Sequence, residues 1–193
     1  KVTEKRFEMI GPTVSAELKT KSFLAIIFVL LAIILYIAFA FRKVSRPISS
    51  WKYGVCAVLA LFHDVIIPTG VFAILGHFLG VEVDTLFVTA LLTVLGFSVH
   101  DTIVVYDRIR ENLLKFPRET FEEIVNRSVN QTAVRSVNTS LTVLLVLIAS
   151  FFFGGESIKY FVLTLIIGVV FGTYSSIFIA SPLLVIWNRA AKK

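Results

Sequence analysis

Long apolar runs separated by short polar stretches organise this sequence. The first run, Ser22 to Phe41, contains no charged residue. The second covers Tyr53 to Leu75, the third Thr85 to Tyr106, the fourth Arg135 to Phe153 and the fifth Tyr160 to Trp187. A hydrocarbon core of ~30 Å asks for ~18–20 such residues per helix. The pattern therefore predicts an all-α polytopic membrane protein with five transmembrane helices, a bundle over residues 22–187. The polar segment at 107–134 is helical too. "DRIRENLLKF" continues the third helix past the membrane until Pro117 breaks it. "RETFEEIVNRSVNQT" then places Phe121, Ile124, Val125 and Val129 on one face, expected on the membrane surface or against neighbouring helix ends. Upstream, Phe7 and Met9 alternate with charged residues as in a strand, and Gly11 and Pro12 end that pattern. Residues 1–21 read as the tail of a folded domain that lies further upstream, and 188–193 as a short polar tail.

Composition agrees with a membrane chain. Hydrophobic residues make up 56% and charged ones 17%, against about 45–50% and about 25% in ordinary globular domains. The net charge of +6 does not call for nucleic acid, because basic residues gather in loops beside membrane spans. Arg42, Lys43, Arg46 and Lys52 follow the first span, and Arg108, Arg110, Lys115, Arg118 and Arg127 follow the third. The loops at 76–84 and 154–159 hold only Lys159. The positive-inside rule then puts the basic loops and the C-terminus in the cytoplasm and the N-terminus outside. The single cysteine, Cys56, has no partner in the chain for a disulfide and reads as a packing residue.

Asp64 and Asp101 change the picture. An aspartate at the centre of a membrane helix costs roughly 2.5–3.5 kcal/mol on insertion scales, so partners, water or protonation must offset it. Burial disfavours a carboxylate and a nearby guanidinium favours it, so moving one relative to the other can load and unload a proton. Arg135 is the candidate guanidinium. Arg135, Thr139 and Thr142 share one side of the fourth helix, with Asn138 beside them. On the third helix Thr89, Thr93, Gly96 and His100 form a stripe, with Ser98 and Asp101 on an adjoining one. These two polar faces are expected to meet and enclose Asp101, His100 and Arg135. Thr164, Gly168, Gly172 and Ser176 recur every four residues on the fifth helix, a small-residue seam for close packing.

Plainer roles compete with these. Asp101 reads also as a structural hydrogen bond between helices, and Asp64 as a partner for amides freed near Pro68 and Gly70. His63 and His100 read also as packing histidines, and Asp107, Arg108 and Arg110 as a solvated helix end. Adjacent residues on a helix point ~100° apart, so neither His–Asp pair chelates alone and no metal is expected. "VYD" (105–107) resembles one half of an intramembrane aspartyl protease site, but the Gly-x-Gly-Asp half is absent. Ser98 and His100 do not face each other, and there is no phosphate-binding Gly-rich loop. The chain is not expected to be an enzyme or to carry a cofactor.

Four stretches, "IGPTVSAEL" (10–18), "HDV" (63–65), "GFSVHDTIVVYDRIREN" (96–112) and "NRSVNQTAVRSVNTSLT" (126–142), resemble the SecF family, the smaller partner of the SecD–SecF membrane complex. The resemblance covers essentially the whole chain. It implies the second to sixth transmembrane helices of a six-helix RND-type half, with residues 1–21 the tail of an extracytoplasmic α+β domain. It implies an accessory role in the inner (plasma) membrane of a bacterium or archaeon, where proton flow assists late-stage export of unfolded polypeptides. SecD, the SecYEG channel, YajC and a YidC-type insertase are the implied partners. Asp101 and Arg135 then belong to the proton pathway, with a further aspartate from SecD; His100 and Asp64 are grouped with them. Asp107, Arg108 and Arg110 form a cytoplasmic helix-end motif, and Thr93, Ser98, Asn138, Thr139 and Thr142 a polar helix interface. The coupling ion is expected to be the proton, with sodium as the alternative. The rival functions are an RND-like proton-driven exporter of small or lipidic molecules and a purely structural assembly subunit.

Overall fold

The computed structural model describes residues 12–41 and 49–190, with side chains from Thr20 onward. The strand expected around Phe7 and Met9, the basic residues Arg42, Lys43 and Arg46, and the tail from residue 191 lie outside the described residues. Among the described residues the fold is all-α, and five helices are long and apolar enough to cross a membrane.

Helix α1 (Pro12–Ala40) starts upstream of the apolar run. Pro12 opens this helix, where its missing N–H has no intrahelical partner at the first position anyway. Phe23, Phe28, Leu31, Leu35 and Phe39 point outward from α1 and are exposed, a surface suited to lipid rather than water. Helix α2 (Ser50–Leu79) packs beside α1 at Gly54, where an added Cβ would lie 3.2 Å from the Ile34 carbonyl oxygen. It ends at Gly80, whose φ of 66° is the left-handed conformation of a helix C-terminus.

Helix α3 (Thr85–Lys115) is capped by the Asp84 side chain, which accepts the Phe87 N–H. It runs without a break through "DRIREN" and stops before Pro117. Helix α4 (Phe121–Phe153) begins with a capping box, in which Thr120 and Glu123 satisfy each other's backbone amides. The segment 121–134 and the fourth apolar run form one continuous helix of 33 residues. At 1.5 Å per residue it is about 50 Å long, so it extends well beyond a ~30 Å hydrocarbon layer. Phe121, Ile124 and Val125 are buried. They pack with Tyr106, Ile109 and Leu184, so this face lies against neighbouring helices rather than flat on a membrane.

The fifth apolar run is helix α5 (Lys159–Ser175), a π-helical turn at Ser176–Ala180, and helix α6 (Ser181–Ala190). Pro182 explains the change of register. It cannot donate to the carbonyl four residues back, and its ring crowds that carbonyl. Side chains satisfy part of the displaced backbone: Ser181 Oγ donates to the Ser176 carbonyl at 3.0 Å and Tyr106 Oη to the Ala180 carbonyl at 3.2 Å.

Helix α3 runs through the middle, and its largest contact is with α5. At one end of the bundle the rings of Phe41, Tyr53 and Tyr106 pack together, with centroids 5.3–6.3 Å apart. At the other end Phe72, Phe87 and Leu91 form a smaller cluster. Between them the α3–α5 contact is made close by Gly168 and Gly172, both buried.

Two stability predictions follow from this packing. A Cβ at Gly168 would overlap the Val94 side chain, so Gly168→Val should lower stability by about 1–3 kcal/mol or more. Thermal unfolding in detergent measures it, and Val94→Ala should restore part of the loss. Asn112 is 1% exposed and donates to Ser128 Oγ at 2.8 Å and Gln131 Oε1 at 2.9 Å, tying α3 to α4. Asn112→Ala should cost about 1–2 kcal/mol in the same measurement.

Candidate functional site

Among the described residues, two carboxyls lie inside the helix bundle. Asp64, on α2, is fully buried. Its Oδ2 accepts Ser98 Oγ of α3 at 2.5 Å and Ser175 Oγ of α5 at 2.7 Å, while Oδ1 is 3.0 Å from His63 Nδ1. The His63 ring is partly exposed and lies beside Phe171 and Tyr174, edge-on to the first and tilted against the second. Asp101, on α3, is 7% exposed. Its Oδ1 accepts Ser136 Oγ of α4 at 2.6 Å, and its Oδ2 faces Ser176 Oγ, the first residue of the π-helical turn, at 3.4 Å. Among the described residues neither carboxyl is paired with a lysine or arginine; both are held by hydroxyls, with one imidazole at Asp64.

The glycine seam creates this geometry. An added Cβ at Gly172 would lie 2.9 Å from Ser98 Cβ, so only glycine lets α5 approach α3 this closely. The approach brings the next turn of α5 within hydrogen-bonding reach of both acids. Ser175 and Ser176 are consecutive and therefore point ~100° apart. One reaches across to α2, the other to α3. A further hydroxyl pair, Ser140 of α4 with Thr173 of α5, closes the same polar layer. Pro68 sits one turn after Asp64 inside α2, and it cannot donate to the Asp64 carbonyl.

Arg135 is elsewhere. Asp101 meets α4 at Ser136, one residue further along, and the guanidinium of Arg135 makes no hydrogen bond to it. Arg135 is exposed and lines a cavity of about 380 Å³ with Tyr36, Asp107, Arg108, Arg110 and Glu111. The face of α4 turned inward is the stripe Ile124, Ser128, Thr132, Ser136 and Ser140, rotated by about 100° per residue from the stripe Arg135, Thr139 and Thr142. Thr139 and Thr142 are exposed and bond their own backbone, at Arg135 and Thr139 carbonyls respectively, and Asn138 is exposed as well. The reason is energetic: a serine hydroxyl can be buried against a carboxyl at little cost, whereas burying a guanidinium requires a fully matched partner.

On α3, Ser98 faces inward, while Thr93 and His100 are exposed, with Thr93 bonded to the Thr89 carbonyl. Arg108 pairs with Glu111 and with Gln131, and Arg110 lies 3.7 Å from Asp107. Gly168, Gly172 and Ser176 are buried in the α3–α5 contact. Sequence reasoning missed Ser136, Ser140, Thr173 and Ser175. The four-residue recurrence of Ser128, Thr132, Ser136 and Ser140 was a readable signal, one position out of phase with the stripe that Arg135 drew attention to.

Comparison with known proteins places this arrangement. The family model described as "Protein export membrane protein SecD/SecF, C-terminal" matches residues 1–190. The "Protein translocase subunit SecF" of Thermobaculum terrenum is 61% identical over 95% of this chain and 57% of its own length. The SecF of Anaerolinea thermophila is 47% identical over 97% of this chain and 60% of its own length. The "Protein translocase subunit SecDF" of Thermus thermophilus is 41% identical over all of this chain and 24% of its own length. A solved structure titled "Crystal structure of SecDF in Super-membrane-facing form" superposes with a TM-score of 0.80 at 40% identity, covering 95% of this chain and 23% of that one. The chain thus spans somewhat over half the length of the SecF relatives, and that part comprises the five long helices and both buried acids. On the match of family model, sequence and fold together, the chain belongs to the SecD/SecF C-terminal family of protein-export membrane proteins.

Proposed function

We propose that this chain is the membrane portion of a SecF subunit. With SecD it couples proton flow to late-stage polypeptide translocation beside the SecYEG channel in the bacterial inner membrane, with YajC and a YidC-type insertase as neighbours. The observation that carries the reading is the Asp101 carboxyl, buried within an apolar helix bundle and held by hydroxyls instead of a fixed cation. An intramembrane acid of this kind is by default a functional group. A second observation supports SecD as partner. His100 on α3, and Arg135 and Asn138 on α4, are exposed along otherwise apolar helices. Lipid offers them no hydrogen bonds, and a second set of helices does. The Thermus relative is named SecDF, a single chain carrying both names.

The mechanism runs through charge. Asp101 takes a proton from the outside and releases it to the cytoplasm, the side that holds the basic loops and the C-terminus. When Asp101 is charged, Arg135 swings toward it out of the cavity that it shares with Asp107 and Glu111. When Asp101 is neutral, nothing holds Arg135 there and it returns to that cavity. The alternation changes how α3 and α4 pack, and the extracytoplasmic domain preceding α1 moves with the helices. One charge crossing 100 mV releases about 2.3 kcal/mol, enough to shift a two-state equilibrium roughly fiftyfold. The chemistry is proton uptake and release, with no covalent step.

Inverted vesicles carrying the complete SecD–SecF complex test this, with ATP held constant and the pH and sodium gradients varied separately. Asp101→Asn keeps the shape of the side chain and an acceptor for Ser136, so the complex should assemble. Its export should fall to the level seen without a proton gradient. Arg135→Lys should also impair gradient-driven export, since lysine lacks the planar fork. Wild-type export by Asp101→Asn under a proton gradient would rule out the coupling role.

A further inference from the structure

We infer that Asp64 and Asp101 are the two ends of one hydroxyl-linked unit, joined through Ser175 and Ser176 at the head of the π-helical turn, so that the protonation of either carboxyl is felt at the other. The inference rests on the proton-coupling reading and extends it to a second acid and to three positioning residues, Ser98, Ser175 and Ser176.

Each serine of the pair has a choice of acceptor. Ser175 Oγ lies 2.7 Å from Asp64 Oδ2 and 3.1 Å from the Gly172 carbonyl oxygen. Ser176 Oγ lies 2.9 Å from the Thr173 carbonyl oxygen and 3.4 Å from Asp101 Oδ2. A hydroxyl has one proton to donate. A charged carboxylate is the stronger acceptor and draws it away from the helix backbone; a neutral carboxyl competes much less. Of the two hydroxyls, only that of Ser175 now sits closer to its acid than to its own helix.

The two choices are mechanically linked. Ser175 and Ser176 share one turn, and the regular hydrogen-bond ladder gives way directly after it. Helix α3 holds both ends of that π-helical turn, through Asp101 facing Ser176 at the start and Tyr106 bonded to Ala180 at the end. Drawing Ser175 toward Asp64 rotates the turn that presents Ser176 to Asp101. π-helical turns are often found at functional sites, where the relaxed register allows such adjustment. The surroundings leave hydroxyls in charge of the link. Asp64 faces His63 of α2, Ser98 of α3 and Ser175 of α5. Asp101 faces Ser136 of α4 and Ser176 of the π-helical turn, while His100 and Arg135, the nearest ionisable neighbours in sequence on α3 and α4, are exposed.

The test uses the complete SecD–SecF complex in lipid, labelled with carbon-13 aspartate. The infrared carboxyl band of Asp101 is identified by its loss in Asp101→Asn and followed against pH. Asp64→Asn and Ser175→Ala should each displace the midpoint of that band by about half a unit or more, a change of about threefold in proton affinity. The double variant should do little more than either single one, as expected of groups acting as a unit. Ser175→Cys, similar in shape but a weaker donor, should fall between wild type and Ser175→Ala. Ser150→Ala, which removes an exposed hydroxyl bonded only to the Val146 carbonyl, should leave the midpoint unchanged. If the Asp101 band titrates at the wild-type midpoint in Asp64→Asn and Ser175→Ala, the two acids are independent and the link is overturned while the role of Asp101 stands. If wild-type Asp101 shows no titrating band, both the link and the proton role of Asp101 fall.

Discussion

Everything at the centre of this bundle depends on how closely α5 can lie against α3. With side chains at 168 and 172, Val94 and Ser98 would push the helices apart. Ser175 and Ser176 would then stand out of reach of the acids they now face. In a membrane the apolar surroundings give no push to bring helices together, so close backbone approach and polar contacts must do it. The seam supplies the first and thereby makes the second possible.

The hydroxyls that surround Asp64 and Asp101 set the character of the site. An arginine or lysine beside each acid would hold it permanently charged and make the pair a structural ion bridge. Serine satisfies a carboxyl in either protonation state, because it both donates and accepts. The layer of Ser98, Ser136, Ser175 and Ser176 therefore stabilises the acids without deciding their charge. Arg135 lines a separate cavity with Asp107, Arg108, Arg110 and Glu111 and takes no part in this layer.

Much of this was legible beforehand. Five apolar runs of spanning length, the break at Pro117 and the apolar face of Phe121, Ile124, Val125 and Val129 led directly to the helices, because lipid leaves a backbone few choices other than helix. Gly168 and Gly172 of the small-residue recurrence lie buried where α5 meets Val94 and Ser98 of α3. Asp64 and Asp101 stood out because acids are costly in that setting. The rotation of α4 was not legible. It carries two adjacent polar stripes, one through Arg135 and Thr139 and one through Ser136 and Ser140, and either would serve as an inward face by composition alone.

Local chemistry along the chain thus determined which segments are helical, roughly where each begins and ends, and which residues are too polar for lipid to leave unattended. Those properties depend on neighbours within a few turns. The tertiary structure alone decided that Asp101 meets Ser136 rather than Arg135, that two consecutive serines serve two different acids, and that the last long helix relaxes into a π-helical turn beside them. Each of those outcomes is a compromise among four helices competing for the same space, and the rotation that satisfies one pair is limited by the packing of the others.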